Sequence, residues 1–515
     1  MFKLALFDLD DTCFEHSIEI DCYKAVIEYC KNKNIYITIQ DIMLAKEKAK
    51  RKTPHTLNRI LYFKTLFHND LDLSLNCYNI FWNTFYSSIK PFDGLVDTLN
   101  IFKKNEVRMR ICTNFTLEHQ IKKCKSLNIL SYFEDICSSE ESTCIKPYER
   151  IFKDSIEPYN PEDVCMFGDR LDTDMEGCTS VNIKGFYVNN KATFNPFYSK
   201  DIFSFKNWIE IRDFFQLYFE SLHTLIDCCK RVGERLDYTQ AGGGNISIKF
   251  SYKEFNFIII KSSGISLNDV SVFNGHTLLI SSSKEDICWG KKQSIETCLH
   301  ITCSNKLVVH CHPISLVSKM CDEKNNLGYP LLPYIPPGKE LCKEMEKYKD
   351  EPIIFLKNHG IIYQTNNLCV NSLMDGLNKF SSFKEYEMCN TISSNLGGTV
   401  ILSNLSKRFN ELNKKVNICK MITTPDVAVF CGEIKEDILH VKSTSNIFYI
   451  KEFLYIHSTN LKLCKQIEDV FQFQIMCLEK FFEDGDYNKI PSLLSTEEYN
   501  KLREREDEKY RMNLK

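Results

Sequence analysis

The first 215 residues alternate short apolar segments with helical segments, and this alternation constrains the fold more than any other feature of the chain. Apolar, strand-like runs occupy residues 2–8, 107–113, 136–138, 164–168 and 185–188. Helix-like segments lie between them near 117–127 and 148–156. Strands that alternate with helices predict an α/β fold with a parallel, doubly wound sheet. The block 17–90 is helical in pattern and interrupts the alternation after the first strand, so we expect it to form an inserted cap.

A chain of 515 residues is too long for one ordinary hydrophobic core, so we expect more than one domain. The pattern predicts a helix near 206–217 that closes the first domain and another near 219–235 that opens the next. Strand signals follow at 246–250, 257–261, 277–281, 306–311, 353–356 and 361–363, and the charged tail beyond 450 is helical in pattern. The expected domains are residues 1–215 with a cap at about 15–92, residues 216–435, and a mainly helical C-terminal extension at 436–515.

Composition excludes several classes of partner. The net charge of −3 gives no general attraction to nucleic acid or to anionic lipid. No run approaches the ~18 apolar residues of a transmembrane helix, and the N-terminus lacks the pattern of a signal peptide. The 24 cysteines form no Cys-x-x-Cys pair and lie in apolar runs, which favours buried, reduced thiols in a cytoplasmic protein. A redox or metal role for some of them is the alternative.

Polar residues follow the strand-like runs of the first domain. They are Asp8 and Asp10, Thr113 and Asn114, Lys146, and Asp169 with Asp174. The carboxyl ends of parallel strands meet above one edge of the sheet, so we expect these side chains to share a crevice. Carboxylates there can hold Mg²⁺, and one of them can attack phosphorus while another moves a proton. A lysine and a hydroxyl can stabilise the transferring phosphoryl group.

The order and spacing of these residues resemble the haloacid dehalogenase-like (HAD) hydrolase superfamily. The resemblance implies a Rossmann-like parallel sheet with a helical cap and a phosphatase activity. Asp8 would be the nucleophile and Asp10 the acid/base. Thr113, Asn114 and Lys146 would bind phosphate, and Asp8, Asp10, Asp169 and Asp174 would form the Mg²⁺ site. Arg170 departs from many relatives, and it would either touch the substrate phosphate or pair with Asp172. A HAD fold without turnover is the alternative.

The second half of the chain carries the sequence Val-Val-His-Cys-His at 308–312. Alternation along a strand places His310 and His312 on one face, where two imidazoles can bind one metal ion. His359 follows some fifty residues later, and a third imidazole leaves one coordination position open for substrate. Zn²⁺ suits such a site, with Mn²⁺, Fe²⁺ or Co²⁺ as alternatives. Glu296 supplies a carboxylate upstream.

Two glycine-containing segments point to backbone contact with a ligand. Glycine is scarce in this chain, with 19 residues, yet three stand in a row at 242–244 before Asn245. Backbone amides of that loop and of Ser262-Ser263-Gly264 can cradle a phosphate or a carboxylate. A plain tight turn is the alternative reading of the three glycines.

Together these segments resemble the class II aldolase/adducin family. The matching motifs are Gly-Gly-Gly-Asn-Ile-Ser (242–247), Lys-Ser-Ser-Gly (261–264), Ser-Ile-Glu-Thr (294–297), His-Cys-His-Pro (310–313) and Asn-His-Gly (358–360). Lys261, and the tail from Tyr499 to Arg511, resemble the longer, rhamnulose-phosphate-aldolase-like branch. The resemblance implies an α/β/α domain with a helical C-terminal tail, and a homo-oligomer, usually a tetramer, with active sites between subunits.

The family's roles then fall on particular residues. His310, His312 and His359 would hold the metal, and Glu296 would be an acid/base with a raised pKa. The substrate and its phosphate would contact Gly244, Asn245, Lys261, Ser263, Gly264 and Ser294. Ile295 stands where relatives carry a second hydroxyl, which weakens the match for phosphate.

The two resemblances imply a bifunctional enzyme, with an Mg²⁺-dependent phosphatase followed by a divalent-metal aldolase that acts on a sugar phosphate or keto-phosphate. The same metal chemistry supports dehydration, as in methylthioribulose-phosphate dehydratase, epimerisation and decarboxylation. A metal-free, adducin-like assembly module is an alternative of another class. The sequence identifies neither the sugar nor its stereochemistry.

Overall fold

The chain, described here by a computed structural model, consists of two compact units. One unit comprises Met1–Ser221 with Phe250–Phe255, and the other comprises Leu222–Lys249 with Asn256–Lys515. The structure describes residues 2–52, 58–68, 70–235, 237–239, 243–281, 287–320, 328–336, 338–380, 384–418, 421, 431, 434, 446–482 and 485–488. The candidate Gly242 and the tail segment 499–511 lie outside the described residues.

The N-terminal unit is built on a seven-stranded sheet. Its strands are β1 (Leu4–Phe7), β2 (Arg108–Thr113), β3 (Asp135–Ser138), β4 (Val164–Gly168), β5 (Lys184–Val188), β6 (Asn195–Ser199) and β7 (Ile202–Phe205). Their order is β3-β2-β1-β4-β5-β7-β6, and every pair is parallel except the β6–β7 edge pair. The chain crosses from one side of β1 to the other between β3 and β4, so the topological switch point, where α/β sheets bind ligands, lies at β1 and β4. The predicted doubly wound parallel sheet is confirmed, although β6 and β7 were not foreseen.

The inserted block between β1 and β2 is helical, as predicted. It contains α1 (Glu19–Asn32), α2 (Ile39–Lys52), α3 (Ile60–Leu66) and α4 (Leu71–Ser88), and α5 (Leu95–Lys104) follows. The remaining helices of the unit are α6 (Leu117–Ser126), α7 (Glu149–Ile156) and α8 (Glu176–Ser180). A bridge between Phe14 and Pro91 joins the two segments that connect the cap to the sheet.

One long helix, α9 (Trp208–Gly233), replaces the two helices predicted near 206–217 and 219–235. The prediction of a break was wrong because the segment contains no proline, and its only glycine is the final residue, Gly233. The boundary between the compact units falls inside this helix, at Ser221 and Leu222.

The β1 strand is buried on both faces. Leu4 and Leu6 belong to an apolar cluster that includes Phe152 of α7. Phe7 points the other way and stacks on Phe167 of β4 at a centroid distance of 5.1 Å. This two-sided burial is typical of a central strand in a parallel sheet covered by helices on both faces.

The second unit contains most of an eight-stranded, mainly antiparallel sheet, of which residues 250–255 belong to the first unit. Its strands are β8 (Asn245–Tyr252), β9 (Phe255–Lys261), β10 (His276–Ile280), β11 (Ile287–Gly290), β12 (Leu307–Cys311), β13 (Leu331–Leu332), β14 (Ile353–Leu356) and β15 (Gly360–Thr365). Their order is β11-β10-β9-β8-β12-β15-β14-β13, which places β12 between β8 and β15. The associated helices are α10 (Thr297–Thr302), α11 (Ile314–Met320), α12 (Lys339–Met345) and α13 (Val370–Asn378). The six predicted strands are present, and β11 and β13 are additional.

The C-terminal part adds a small antiparallel sheet and three helices. The elements are α14 (Lys384–Leu396), β16 (Thr399–Leu402), α15 (Ser406–Asn413), β17 (Ile447–Ile450), β18 (Phe453–Ser458) and α16 (Leu461–Phe481). Helix α16 bears out the predicted helical tail. The strands β17 and β18 were missed because their apolar residues were assigned to the helical pattern. No helix among the described residues is long and apolar enough to cross a membrane.

Most described cysteines are buried thiols, as the sequence predicts. Cys298 and Cys342 are not free thiols, because they form a disulfide between α10 and α12. The expectation of reduced cysteines is therefore wrong for this pair. Its Cα atoms lie 6.0 Å apart, within the ordinary range for a disulfide.

Phe167→Ala should destabilise the N-terminal unit by about 3–5 kcal/mol, because it leaves a cavity in a fully buried aromatic cluster. The loss should appear as an earlier urea transition of that unit in the full-length protein. The matched control is Phe197→Ala, since Phe197 is 41% exposed in the same unit. Equal destabilisation by both substitutions would contradict the proposed role of the cluster.

Candidate active sites of the two units

The first candidate site lies at the carboxyl ends of β1 and β4. Asp8 follows β1, and Asp169 and Asp174 follow β4. These three residues each offer a carboxylate oxygen within 4.8 Å of the others. Asp8 is 7% exposed and Asp174 is 1% exposed, so the cluster is largely removed from water.

Lys146 is the cation of this cluster. Its Nζ donates to Asp8 Oδ1 at 2.6 Å and to Asp174 Oδ1 at 2.5 Å, and the side chain is 2% exposed. Asn114 fixes the backbone of this lysine, accepting from its N–H at 2.6 Å and donating to its carbonyl at 3.3 Å. Asn114 therefore supports Lys146 in this structure. Thr113, also predicted to bind phosphate, is buried, and its Oγ1 accepts from Gln120 at 2.6 Å.

The cluster has more negative charge than Lys146 balances. Burial raises the pKa of Asp8 to about 7, against the opposing effect of Lys146. Burial, assisted by Asp174, raises the pKa of Asp169 to about 6. Burial would lower the pKa of Lys146, but Asp174 and Asp8 outweigh it and raise that pKa. A further cation, or a proton, is therefore favoured among these carboxylates.

Two residues that the sequence reading did not single out shape the cluster. Thr12 Oγ1 lies 2.9 Å from Asp8 Oδ2 and 3.1 Å from Asp169 Oδ1, and it also accepts from the Asp169 N–H at 3.1 Å. Gly168 leaves room for a carboxylate, because a Cβ there would lie 2.4 Å from Asp174 Cβ. Thr12 is the residue next but one after Asp10, and that proximity was the only sequence signal for it.

Asp10, predicted to act as acid/base and metal ligand, is not part of the carboxylate cluster. Its side chain turns to α6 and pairs with Lys123 Nζ at 2.6 and 2.8 Å. Gln120 Nε2 donates to it at 3.0 Å, and His16 Nδ1 lies 3.3 Å away. Burial would raise the pKa of Asp10, but Lys123 and His16 outweigh burial and hold it well below its usual range. The structure therefore does not bring the Asp10 carboxylate to the metal position.

The donor set of Asp8, Asp169 and Asp174 fits Mg²⁺. All three are hard oxygen ligands, which Mg²⁺ prefers, and the cluster carries uncompensated negative charge.

Arg170 pairs with Asp172, which is the second of the two roles predicted for it. Its guanidinium lies at the surface and donates to both carboxylate oxygens of Asp172, at 3.0 and 2.7 Å.

The second candidate site is built on β12 of the other unit. His310 is fully buried on this central strand, and its Nδ1–H donates to the Ile361 carbonyl at 3.0 Å. That bond leaves Nε2 to face His312 Nε2 at 3.0 Å. His359 completes a group of three ring nitrogens that lie within 4.8 Å of one another. The three predicted histidines therefore meet.

The Asn-His-Gly segment places His359 by backbone conformation. Asn358 has a positive φ of 55°, which asparagine tolerates better than most residues. A Cβ on Gly360 would lie 2.3 Å from the Cys311 carbonyl oxygen and 2.8 Å from His312 Cδ2. Only glycine allows β15 to start this close to β12, and the approach brings His359 beside His312.

Glu296 lies against the three histidines. Its Oε1 is 3.3 Å from His310 Nε2 and 3.5 Å from His359 Nε2. Burial would raise the pKa of Glu296, but His310 and His359 outweigh burial and lower it to about 2. The expectation of a raised pKa is therefore wrong for this arrangement. Burial would lower the pKa of His310, but Glu296 outweighs it and raises that pKa, whereas burial lowers the pKa of His312 to about 3.

This donor set fits a tetrahedral divalent metal such as Zn²⁺. Two ligand atoms of one tetrahedral Zn²⁺ lie about 3.3 Å apart, given its usual bond lengths to nitrogen. The His310 Nε2–His312 Nε2 separation of 3.0 Å is close to that value, and His359 offers a third ring nitrogen within 4.8 Å of these two residues' ligand atoms. Imidazole ligands also suit several other first-row metals.

Gly244, the last of the three consecutive glycines, lies beside this site. Gly244 has φ +77°, and a Cβ there would lie 2.7 Å from Thr239 Cγ2 and 3.2 Å from the His310 carbonyl oxygen. Asn245 pairs with His310 across β8 and β12, and its buried Oδ1 has no hydrogen-bond partner among the described residues. A buried acceptor without a partner, placed beside the histidines, can accept a hydrogen bond from a substrate hydroxyl or from a water.

The other predicted substrate contacts differ in exposure. Ser263 and Gly264 are exposed, and a Cβ on Gly264 would meet nothing within 4 Å. Ser294 Oγ accepts from the Glu296 N–H at 3.3 Å, so it helps to start α10. Lys261 is 3% exposed, and burial lowers its pKa, with Cys229 and Glu296 opposing.

His300 belongs to this site and was missed by the sequence reading. It lies one helical turn after Glu296 on α10, is fully buried, and its Nδ1 is 2.8 Å from Ser247 Oγ. Its Nε2 has no partner among the described residues. The available signal was the four-residue spacing of an acid and a histidine at the start of a helix.

Comparison with known protein families finds two matches along the chain. Residues 2–182 match the haloacid dehalogenase-like hydrolase family. Residues 223–368 match the family described as class II aldolase and adducin N-terminal domain. The chain is therefore a fusion of a HAD-like hydrolase domain with a class II aldolase/adducin domain.

The curated relatives resemble the first domain. The glyceraldehyde 3-phosphate phosphatase of Methanothermobacter thermautotrophicus is 24% identical over 199 residues, which are 38% of this chain and 88% of that protein. The protein of the same name from Pyrococcus furiosus is 31% identical over 104 residues, which are 20% of this chain and 43% of that protein.

Solved structures match both domains. A 2-haloacid dehalogenase from Pseudomonas syringae is 16% identical, covers 42% of this chain and 100% of its own, and has a TM-score of 0.36. The N-terminal class II aldolase domain of a Thermoplasma acidophilum protein is 22% identical, covers 28% of this chain and 84% of its own, and has a TM-score of 0.26.

Replacing His310 and His312 together by alanine should reduce the divalent metal that co-purifies with the protein to well below one equivalent. One imidazole and water bind a metal far less tightly than three convergent imidazoles. Elemental analysis of the full-length protein measures this. The control is His457→Ala, since His457 lies in β18 and outside the histidine group. Unchanged metal content in the double variant would contradict the ligand assignment.

Proposed function

We propose that the N-terminal domain is an Mg²⁺-dependent phosphatase of a small phosphorylated metabolite. The observation that carries the proposal is the Asp8 carboxylate, held by Lys146 and Thr12 at the end of β1 beside a cluster that favours a cation. The HAD-like hydrolase family of residues 2–182 supports it.

The residues present account for both halves of the hydrolysis. Asp8 attacks phosphorus to give an aspartyl-phosphate, and the departing oxygen takes a proton from Asp10. Lys123 and His16 hold the pKa of Asp10 well below its usual range in the free protein, so Asp10 would take up that proton from water when the negative charge of the bound phosphate raises its pKa. Water then attacks the phosphorus, and Asp10 receives the water proton as the Asp8–phosphorus bond breaks. Lys146 offsets charge on the phosphoryl oxygens. Bound Mg²⁺ would neutralise further phosphate charge.

The proposed substrate class is a short aldehyde or polyol phosphate. The relatives from Methanothermobacter thermautotrophicus and Pyrococcus furiosus are both named glyceraldehyde 3-phosphate phosphatase. The helical block inserted between β1 and β2 would select the group attached to the phosphate.

Asp8→Asn should abolish phosphate release, because the amide keeps the shape of the side chain but is no nucleophile. Phosphate release from D-glyceraldehyde 3-phosphate and from p-nitrophenyl phosphate, with Mg²⁺ present, measures this. Asp172→Asn is the control, because Asp172 is an exposed carboxylate that pairs only with Arg170 among the described contacts. Near wild-type turnover by Asp8→Asn would refute the assignment of the nucleophile.

For the second domain, we propose a metal-dependent aldolase that cleaves a carbon–carbon bond in a sugar phosphate or keto-phosphate. Three convergent imidazoles with a carboxylate at 3.3 Å carry this proposal. A divalent metal at that position would polarise the substrate's carbonyl and hydroxyl oxygens. Glu296 would move the proton that bond cleavage requires, and Asn245 Oδ1 would accept from a substrate hydroxyl.

The adjacency of the two domains suggests consecutive steps, in which phosphate hydrolysis makes an otherwise reversible aldol cleavage irreversible. A dehydratase or an epimerase would use the same groups, and product analysis separates these reactions from aldol cleavage. The cytoplasmic location, the homo-tetramer and the rhamnulose-phosphate-aldolase-like branch remain predictions.

Glu296→Gln should lower the rate of carbon–carbon cleavage by about 10²–10⁴-fold, the usual contribution of a positioned acid/base. The amide is nearly isosteric and leaves the histidines in place, so metal content should not change. The readouts are cleavage of a ketose-phosphate panel and solvent-deuterium exchange into the keto-phosphate product. Glu340→Gln, an exposed change on α12, is the control. Normal cleavage and exchange in Glu296→Gln would exclude this residue as the proton carrier.

A further inference from the structure

A buried lysine on α6 contacts Asp10, the residue proposed above as the acid/base. Lys123 lies on α6 with its side chain 1% exposed. Its Nζ contacts both carboxylate oxygens of Asp10, at 2.6 Å to Oδ1 and 2.8 Å to Oδ2. Both oxygens of the carboxylate therefore share one donor, and this fixes the plane of the carboxylate as well as its position.

Gln120, one turn earlier on α6, adds a second constraint. Its Nε2 donates to Asp10 Oδ2 at 3.0 Å and to Thr113 Oγ1 at 2.6 Å. The same amide thus ties Asp10 to the end of β2, the strand that pairs with β1. The position of Asp10 is set from the helix and from the sheet together.

Aromatic rings enclose the ammonium of Lys123. Its Nζ lies 4.7 Å from the ring centroid of Phe115, 5.7 Å from Phe85, and 5.9 Å from both Phe14 and Trp82. Phe85 and Trp82 belong to α4 of the cap. The cap therefore supplies part of the dry, cation-stabilising wall around the lysine.

Stability alone is a weak explanation for such a pair. A buried ion pair gains little over well-packed apolar residues, because desolvation of the two charges offsets their attraction. A methionine would fill the aromatic enclosure without that cost. The pair is better explained by what it does to Asp10.

We propose that Lys123, with Gln120, is a positioning residue that fixes the Asp10 carboxylate for proton transfer to the leaving oxygen of the phosphate ester. The inference rests on the proposed phosphatase function and extends it to the departure of the alcohol. Asp10 is ionised beside Lys123 in the free protein, so it first takes up one proton from water when the phosphate dianion binds. As the bond from phosphorus to the leaving oxygen breaks and the bond to Asp8 forms, the leaving oxygen gains that proton from Asp10. The proton returns to Asp10 from water in the hydrolysis of the aspartyl-phosphate.

If Lys123 positions Asp10 for proton transfer, the effect of losing Lys123 on the rate should depend on the leaving group. A purely structural role would slow all substrates alike. An alkoxide leaves poorly without a proton, whereas p-nitrophenolate leaves well without one. Loss of the positioning residue should therefore slow alkyl phosphate hydrolysis far more than p-nitrophenyl phosphate hydrolysis.

The experiment compares Lys123→Met, Lys123→Arg and Asp10→Asn in the full-length protein with Mg²⁺. The probes are p-nitrophenyl phosphate and whichever of D-glyceraldehyde 3-phosphate, glycerol 3-phosphate and 2-phosphoglycolate the wild type hydrolyses fastest. For Lys123→Met, kcat on the alkyl phosphate should fall about 10²-fold and KM should change little, with a loss of less than about tenfold on the aryl phosphate. Lys123→Arg should retain most of the activity, because it restores a donor to both oxygens.

Asp10→Asn should show the same dependence on leaving group, and the double variant Lys123→Met/Asp10→Asn should lose no more than Asp10→Asn alone, because the lysine acts through the carboxylate. Lys122→Met is the matched control, since Lys122 is exposed on the same helix and pairs with Glu118. Thermal melting of each variant checks that the fold is retained.

Three results would overturn the inference while leaving the proposed phosphatase function in place. Equal losses of Lys123→Met on both classes of phosphate would reduce the lysine to a structural role. A faster rate in Lys123→Met would mean that the lysine restrains Asp10 from acting. Additive losses in the double variant would separate the two residues. A wild-type protein that hydrolyses none of the phosphates would overturn the proposed function, and this inference with it.

Discussion

Both candidate sites depend on a buried central strand whose backbone is hydrogen-bonded on both sides. Strand β1 lies between β2 and β4, and β12 lies between β8 and β15. Every residue of both strands is buried. A reactive side chain on such a strand, or directly after it, is held in place by the rigid backbone of the sheet. Catalysis requires this, because reactive groups must lie within about 0.5 Å of their productive positions. The two candidate sites therefore share one structural feature, a buried central strand, although one sheet is mainly parallel and the other mainly antiparallel.

The features that the sequence predicted are those set by local patterns and by strand ends. The alternation of apolar runs and helices predicted the parallel sheet of the first unit, and the sheet brings Asp8, Asp169 and Asp174 together from segments far apart in the chain. Alternation also placed His310 and His312 on one face. These predictions succeeded because strand periodicity and the crevice at the strand ends follow from backbone geometry alone.

The features that the sequence reading missed depend on tertiary contacts. Nothing in the amphipathic pattern of α6 distinguishes the buried Lys123 from the exposed Lys122 beside it, because the difference arises from where the helix packs. The direction of the Asp10 side chain depends on its contact with Lys123, so the sequence could not predict that direction either. The lowered pKa of Glu296 has the same origin, since the histidines that cause it come from β12 and from the turn before β15.

The two candidate metal sites also differ in the balance of charge among their donor groups, and this difference would favour a different ion at each site. The N-terminal cluster joins three carboxylates with a single lysine, so it attracts a hard, oxygen-preferring cation such as Mg²⁺. The second site presents three imidazole nitrogens and one carboxylate, which bind first-row transition metals far better than Mg²⁺. Mg²⁺, even at concentrations that fill the first site, would compete poorly for the second. If both sites bind metal as proposed, their ligand chemistry would select different ions, so the two proposed reactions could proceed in one solution.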